Sequence, residues 1–216
     1  MPINVFIADD HAVVRDGLRL LLEAQADIRV VGDAADGRQT VIQVRQLCSD
    51  VVVMDIAMPE LNGIEATRQI KETCPSMQVV ILSMYATTEH IFQALQAGAL
   101  GYLLKESAAV EVVNAVRTVH AGHRYLCQKI DDIIIDSYIH KRQGSGAKSP
   151  LESLSPRERE VAQLVVEGKS SAEIAHILYL SCKTVETYRS RLMQKLNIKD
   201  IPSLVKFAIQ HGLTRL

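Results

Sequence analysis

Short apolar runs alternate with longer stretches of helical spacing through the first half of this chain, and that alternation restricts the fold more than any other feature. Residues 3–8 (INVFIA), 28–34 (IRVVGDA), 51–54 (VVVM), 79–82 (VVIL) and 101–104 (GYLL) read as strands. Residues 13–22, 39–47, 64–73, 89–97 and 108–120 place apolar side chains three and four apart, as a helix buried on one face requires. Five strands alternating with five helices predict an α/β fold, an open, doubly wound parallel sheet with helices on both faces. The strands are apolar almost without interruption, which suits burial on both sides.

Such a sheet gathers the C-terminal ends of its strands along one edge, where ligands bind. Asp9 and Asp10 follow the first run, Asp55 the third, Ser83 the fourth and Lys105 the fifth. Carboxylates crowded at one place repel one another unless a cation neutralises them. Mg²⁺ suits the set, because it takes oxygen ligands, keeps several waters and shares phosphate oxygens. A carboxylate beside such an ion can attack a phosphoryl group and become an aspartyl phosphate. Lys105 would then neutralise charge on the phosphoryl oxygens, and Ser83 would donate a hydrogen bond that exists only after transfer. Taken singly, an Asp after a strand is ordinarily a helix cap and a Lys is ordinarily solvated. All five at strand ends together point past that ordinary use, whereas Asp33 and Asp36 read as turn residues.

At 216 residues with 48% apolar side chains, the chain has room for two modest domains with real cores. No apolar run is long enough to span a bilayer, and no basic stretch precedes a hydrophobic one at the start, so neither a membrane anchor nor an export signal is expected. Cys48, Cys74, Cys127 and Cys182 lie far apart and form no ligand cluster, as expected for reduced thiols in the cytoplasm. Charge is uneven. Residues 1–125 carry 10 Lys and Arg against 15 Asp and Glu, while residues 151–216 carry 10 against 7. An acidic front and a mildly basic back suggest two modules with different partners.

Three segments follow from this pass: a domain over residues 1–124, a linker over 125–150, and a second domain over 151–216. Within the linker, IDDIIIDSYIHK could be an amphipathic helix with Ile130, Ile133, Ile134 and Tyr138 on one side, and residues 143–150 (QGSGAKSP) read as a flexible segment. The remainder is all-α. Ser155, Pro156 and Glu158 spell an N-cap, a proline at the first helical position and a capping-box glutamate. Ser170 and Glu173 form a second box, Ser181 caps a third helix to about residue 196, and Asp200 caps a fourth with Leu204, Val205, Ala208 and Ile209 inward. A short helix, a tight turn and a longer helix form a helix-turn-helix. With Val185, Leu192 and Leu196 inward, the opposite side of the third helix carries Thr187, Ser190, Gln194 and Arg191, with Glu186 at its margin. Lys183, Arg189, Arg191 and Lys195 are placed to meet phosphates. On an isolated helix, a polar face of this kind is ordinarily only solvated.

Residues 3–122 resemble the receiver domain of bacterial two-component response regulators. The resemblance lies in IADDH, in VVVMDIAMPELNG with its Met58-Pro59 and Gly63, in VVILSMY and in GYLLKES. Residues 154–213 resemble the LuxR-type helix-turn-helix domain, through LSPREREV, EGKSSAEIAHIL, LSCKTVETYRSRLMQKL and LVKFAIQHGL. Together they are similar to the NarL/FixJ subfamily. The resemblance implies a five-stranded flavodoxin-like receiver with a four-helix DNA-binding domain behind it. It implies phosphorylation of Asp55 by a sensor histidine kinase, and Mg²⁺ on Asp9, Asp10, Asp55 and the Ala57 carbonyl. Ser83 and Tyr102 become the switch hydroxyl and switch aromatic. Glu186, Thr187 and Ser190 would read bases of double-stranded promoter DNA in the major groove, with Lys183, Thr184, Tyr188, Arg189 and Arg191 near the backbone. A homodimer on phosphorylation, a cytoplasmic location and RNA polymerase as a further partner complete the expectation. Glu106 departs from the proline many receivers carry after the lysine, and Tyr188 from the usual histidine. Two other classes stay open: a phosphate-independent DNA-binding protein with a vestigial receiver, and an aspartate-nucleophile phosphatase. The adjacency of Asp9 and Asp10, rather than a DxD spacing, and the lack of a cap insertion weigh against the phosphatase. No enzyme activity beyond slow loss of its own phosphate is expected.

Overall fold

The apolar runs form β1 (Ile3–Ala8), β2 (Ile28–Ala34), β3 (Val51–Met54), β4 (Gln78–Ser83) and β5 (Gly101–Leu104), joined by a sixth short strand, β6 (Tyr125–Leu126). The order across the sheet is β2-β1-β3-β4-β5-β6, and every neighbouring pair is parallel. The connecting helices are α1 (Ala12–Glu23), α2 (Gly37–Gln46), α3 (Gly63–Thr73), α4 (Thr88–Gln96) and α5 (Ala109–His120), with α6 (Gln128–Lys141) after β6. This computed structural model describes residues 1–106, 109–141, 150–211 and 213–214. The chain divides into two compact units, Met1–Ser145 and Gly146–Leu216, each with its own core.

All four residues of β3 and of β5 are buried, which accounts for their uninterrupted apolar sequence. Each buried aliphatic side chain stabilises the unit by roughly 1.5–3 kcal/mol relative to exposure. The strand count and the linker expected from residue 125 both need correction. Tyr125 N donates to the Leu100 carbonyl at 3.0 Å and Cys127 N to the Tyr102 carbonyl at 3.3 Å, so the chain after α5 pairs with the free edge of β5. Ile130 is then fully buried and Ile133 and Ile134 pack against the same core, so residues 125–135 are part of the first unit. The helical alternative for IDDIIIDSYIHK is the one realised. Of the Gly/Ser/Pro segment expected over 143–150, residues 143–149 lie outside the described residues, as does the side chain of Tyr138, and Pro150 instead opens a 3₁₀ turn.

The second unit opens with a 3₁₀ turn (Pro150–Ser153), followed by α7 (Pro156–Val166), α8 (Ser171–Leu178), α9 (Cys182–Lys195) and α10 (Ile201–Gln210). Both predicted capping boxes are formed, Ser155 with Glu158 and Ser170 with Glu173. Gly168 takes the positive φ of +81° that turns the chain after α7. Val161, Leu164, Ile174, Val185, Leu192, Leu204 and Ala208 are fully buried. Val205 and Ile209, expected inward, are only partly covered. The buried row of α10 is Leu204 and Ala208, four residues apart, with Phe207 packed against the same core beside it, which leaves Val205 and Ile209 in partial contact with solvent.

Candidate phosphoacceptor site and nucleic-acid interface

Hydrogen bonds that continue the β ladder just past the strand ends bring the polar residues together. Asp9 N donates to the Ala34 carbonyl at 3.1 Å, Asp55 N to the Ala8 carbonyl at 2.8 Å, and Lys105 N to the Ser83 carbonyl at 2.8 Å. The side chains therefore stand on rigid backbone. Asp9, Asp55 and Ser83 are buried, and Asp10 lies at the exposed rim. Lys105 Nζ reaches Asp9 Oδ2 at 2.6 Å and Asp55 Oδ2 at 2.9 Å, bridging two buried carboxylates. The contact with Asp55 is an aligned hydrogen bond, whereas the one with Asp9 is an ion pair without that alignment.

His11, which sequence reasoning passed over, completes the acidic corner. Its Nδ1 lies 2.7 Å from Asp10 Oδ1 and 3.2 Å from Asp9 Oδ1, and its backbone N–H donates to Asp9 Oδ1 at 2.9 Å. One donor atom each from Asp9, Asp10, His11 and Asp55 falls within 4.8 Å of the others. The hard carboxylate oxygens of this set suit Mg²⁺. Ala57 is buried in the loop after Asp55, which Gly63 N folds back by donating to the Ile56 carbonyl at 2.7 Å. Gly63 is required there, since a Cβ at this position would lie 1.9 Å from the Asp55 carbonyl oxygen.

Ser83 and Tyr102 meet at a residue that the sequence did not single out, Tyr85. Ser83 Oγ accepts from Tyr85 N at 3.0 Å, and the Tyr102 hydroxyl donates to the Tyr85 carbonyl at 2.8 Å. Burial pushes the Tyr102 phenol well above its usual range, outweighing a hydrogen bond with Ser83 that acts the other way. The Tyr85 ring stacks on His90 with centroids 4.8 Å apart, and Thr87 Oγ1 lies 2.6 Å from His90 Nδ1. The Ser83 and Tyr102 hydroxyls are thus both held by one loop residue, which is itself clamped to the start of α4. Glu106 pairs with Lys129 of α6 at 2.6 Å, linking the loop after β5 to the sixth helix.

In the second unit, Ser181 caps α9 through Thr184 N at 3.1 Å. Lys183, Thr184, Thr187, Tyr188 and Arg191 line a shallow groove with Ser181 on one side of that helix. Lys183, Glu186, Thr187, Ser190 and Arg191 are exposed, and Thr184, Tyr188 and Arg189 are half-buried. Two of the four cations expected to meet phosphate are engaged within the fold. Arg189 Nη1 donates to Ser171 Oγ at 2.8 Å, and Lys195 Nζ lies 2.6 Å from Glu158 Oε2. Spacing alone placed all four on accessible flanks. Their partners on α8 and α7 become visible only once the helices are packed.

A doubly wound α/β unit with an acid–lysine cluster at its strand ends, followed by a helix-turn-helix unit, is the plan of a response regulator. The first unit matches the family described as the response regulator receiver domain over residues 5–117, and the second matches the bacterial regulatory proteins of the luxR family over residues 152–208. The chain is 38% identical over 213 residues to the oxygen regulatory protein NreC of Staphylococcus carnosus (strain TM300), covering 97% of this chain and 98% of that one. It is 40% identical over 211 residues to the response regulator UvrY of Escherichia coli (strain K12), covering 98% and 95%. Among solved structures, the RcsB–DNA complex is similar with a TM-score of 0.61 and 28% identity, covering 98% of this chain and 99% of that one. A LuxR-family response regulator from Aurantimonas sp. SI85-9A1 is similar with a TM-score of 0.62 and 33% identity, covering 64% of this chain and 99% of that one. The chain belongs to the NarL/FixJ-type two-component response regulators, built from a receiver domain and a LuxR-type helix-turn-helix domain.

Proposed function

We propose that this protein is a phosphorylation-switched transcription regulator in which Asp55 stores the signal and α9 delivers it to promoter DNA. The observation that carries this is Lys105 bridging Asp9 and Asp55 at the end of β5 while Ser83 Oγ rests on Tyr85 N. In the transfer, the N–P bond of a kinase phosphohistidine breaks, an O–P bond forms at an Asp55 carboxylate oxygen, and the released imidazole takes up a proton. Asp9, Asp10, Asp55 and the Ala57 carbonyl would hold Mg²⁺, which when bound neutralises phosphoryl oxygens. The Lys105 ammonium lies beside Asp55 before transfer and is in reach of the new anion afterwards. Ser83 then has a stronger acceptor than its present role allows, since hydrogen bonds to charged groups are about twice as strong as neutral ones. As its hydroxyl turns to the phosphoryl group, Tyr85 N loses its acceptor, and the clamp shared with Tyr102 and His90 loosens. The start of α4 moves with it.

Phosphorylated protein then pairs with a second copy. One small domain reads only a few base pairs, and two on a palindrome gain effective concentration. RcsB has been solved on DNA, including as dimers, and the same use of the second unit is proposed here. Thr187 and Ser190 read bases, while Lys183, Thr184, Tyr188 and Arg191 fix the helix on the backbone. The protein works in the cytoplasm with a sensor histidine kinase upstream and RNA polymerase downstream, and its only turnover is slow loss of its own phosphate.

Treatment with acetyl phosphate and Mg²⁺ tests this. Wild type gains one phosphoryl mass at Asp55 and binds its selected DNA at least tenfold more tightly, and Asp55→Asn does neither. If wild type takes up no phosphate, or if the variant matches phosphorylated wild type on DNA, the switch is wrong.

A further inference from the structure

We infer that Ser171, a residue of α8 rather than of the recognition helix, determines which base Glu186 selects. Ser170 caps α8, so the neighbouring Ser171 side chain is not needed for capping and bonds across to α9. Its hydroxyl accepts a hydrogen bond from Arg189 Nη1 at 2.8 Å and donates its proton to Glu186 Oε1. One proton given and one lone pair used is what a hydroxyl can supply, and both bonds have a charged partner. Arg189 and Glu186 stand 3.9 Å apart, at the outer limit of an ion pair, so the bridging hydroxyl holds them more closely than their direct contact does.

A glutamate on a DNA-facing helix is opposed by phosphate repulsion and by the rotamer freedom it must lose. The Ser171 bridge offsets both, because Arg189 lies alongside as a counter-charge and the side chain is held in place beforehand. Oε1 is engaged, which leaves Oε2, on a side chain 61% exposed, as an acceptor for DNA. An acceptor with no proton to give selects an exocyclic amino group, and the cytosine N4 amino group is the partner that suits a carboxylate in the major groove. In this scheme, which rests on the DNA-reading role proposed for α9, Ser171 touches no base and is a positioning residue.

Selection of the full-length protein, activated with acetyl phosphate and Mg²⁺, on a random double-stranded DNA pool tests it. Wild type enriches a motif with cytosine favoured about tenfold at one position of each half-site, the size expected of one good base contact. Ser171→Ala lowers that preference to below about twofold, leaves the other positions as they were and keeps non-specific affinity within about twofold. Ser171→Thr restores it. Glu186→Gln loses the preference at the same position, and adding Ser171→Ala to it changes nothing more. A wild type that enriches no motif overturns the DNA-reading role itself. A wild-type motif that Ser171→Ala leaves intact, or weakens evenly at all positions, overturns the positioning role alone, as does a Glu186→Gln variant that selects cytosine as before.

Discussion

Single residues at the proposed phosphoacceptor edge work within tenths of an ångström, and Gly63 shows the tolerance most plainly. The amino end of α3 is pressed against the Asp55 carbonyl, and no rotamer can relieve a Cβ that meets backbone at 1.9 Å. Gly63→Ala is expected to destabilise the first unit by about 2–4 kcal/mol in urea denaturation. Because the shift passes to the peptide that carries Asp55, the variant is also expected to take up phosphate from acetyl phosphate at least tenfold more slowly. Asp9, Asp10, Asp55, Ser83 and Lys105 were legible in the sequence because strand ends can be found from apolar runs and a parallel sheet aligns them. His11 and Tyr85 were not. Each owes its place to a loop whose path depends on what packs beneath it, and loops carry no periodic signal. The DDH run was the one available hint for His11.

Elements were legible wherever a cap and a period agreed, as in α7 and α8, whose capping boxes start them at the expected residues. Replacing the cap, Ser155→Ala, is expected to cost about 1 kcal/mol in thermal unfolding of the second unit. The box also has a pH signature. Burial pushes the Glu158 carboxyl up, but the Lys195 ammonium at 2.6 Å and the Ser155 hydrogen bonds pull it further down, to a net value below the usual 4.5. The folded state therefore takes this proton less readily than the unfolded chain. The stabilisation is complete above the unfolded value and disappears as pH falls through the lowered one. The melting temperature of the second unit should fall on acidification below about pH 5, and Glu158→Gln should flatten that fall. β6 and α6 were the elements read least well. A two-residue strand has too few positions to show alternation, and its existence depends on the edge that β5 presents. Ile130→Ala should nonetheless destabilise the first unit by about 2–4 kcal/mol, as for any core aliphatic, and a cost below 0.5 kcal/mol would mean that α6 does not dock.

At the scale of the whole molecule, the two cores share no buried residue among the described residues. Calorimetry should show two unfolding transitions, with Leu192→Ala lowering one and Ile81→Ala the other; a single transition shifted by both would exclude independent units. The family matches stop at residue 117 on one side and resume at 152 on the other, so the stretch between them looks like a tether by inheritance. Physically, part of it is a hem. Without Tyr125 and Leu126, β5 would be the last strand of a parallel sheet, with unpaired amides along a flat apolar border that invites pairing between molecules. A receiver cut where the motif ends would carry every residue of the proposed phosphoacceptor site and still be prone to aggregate through that border. For anyone exchanging such modules between regulators, the safe place to cut lies beyond α6.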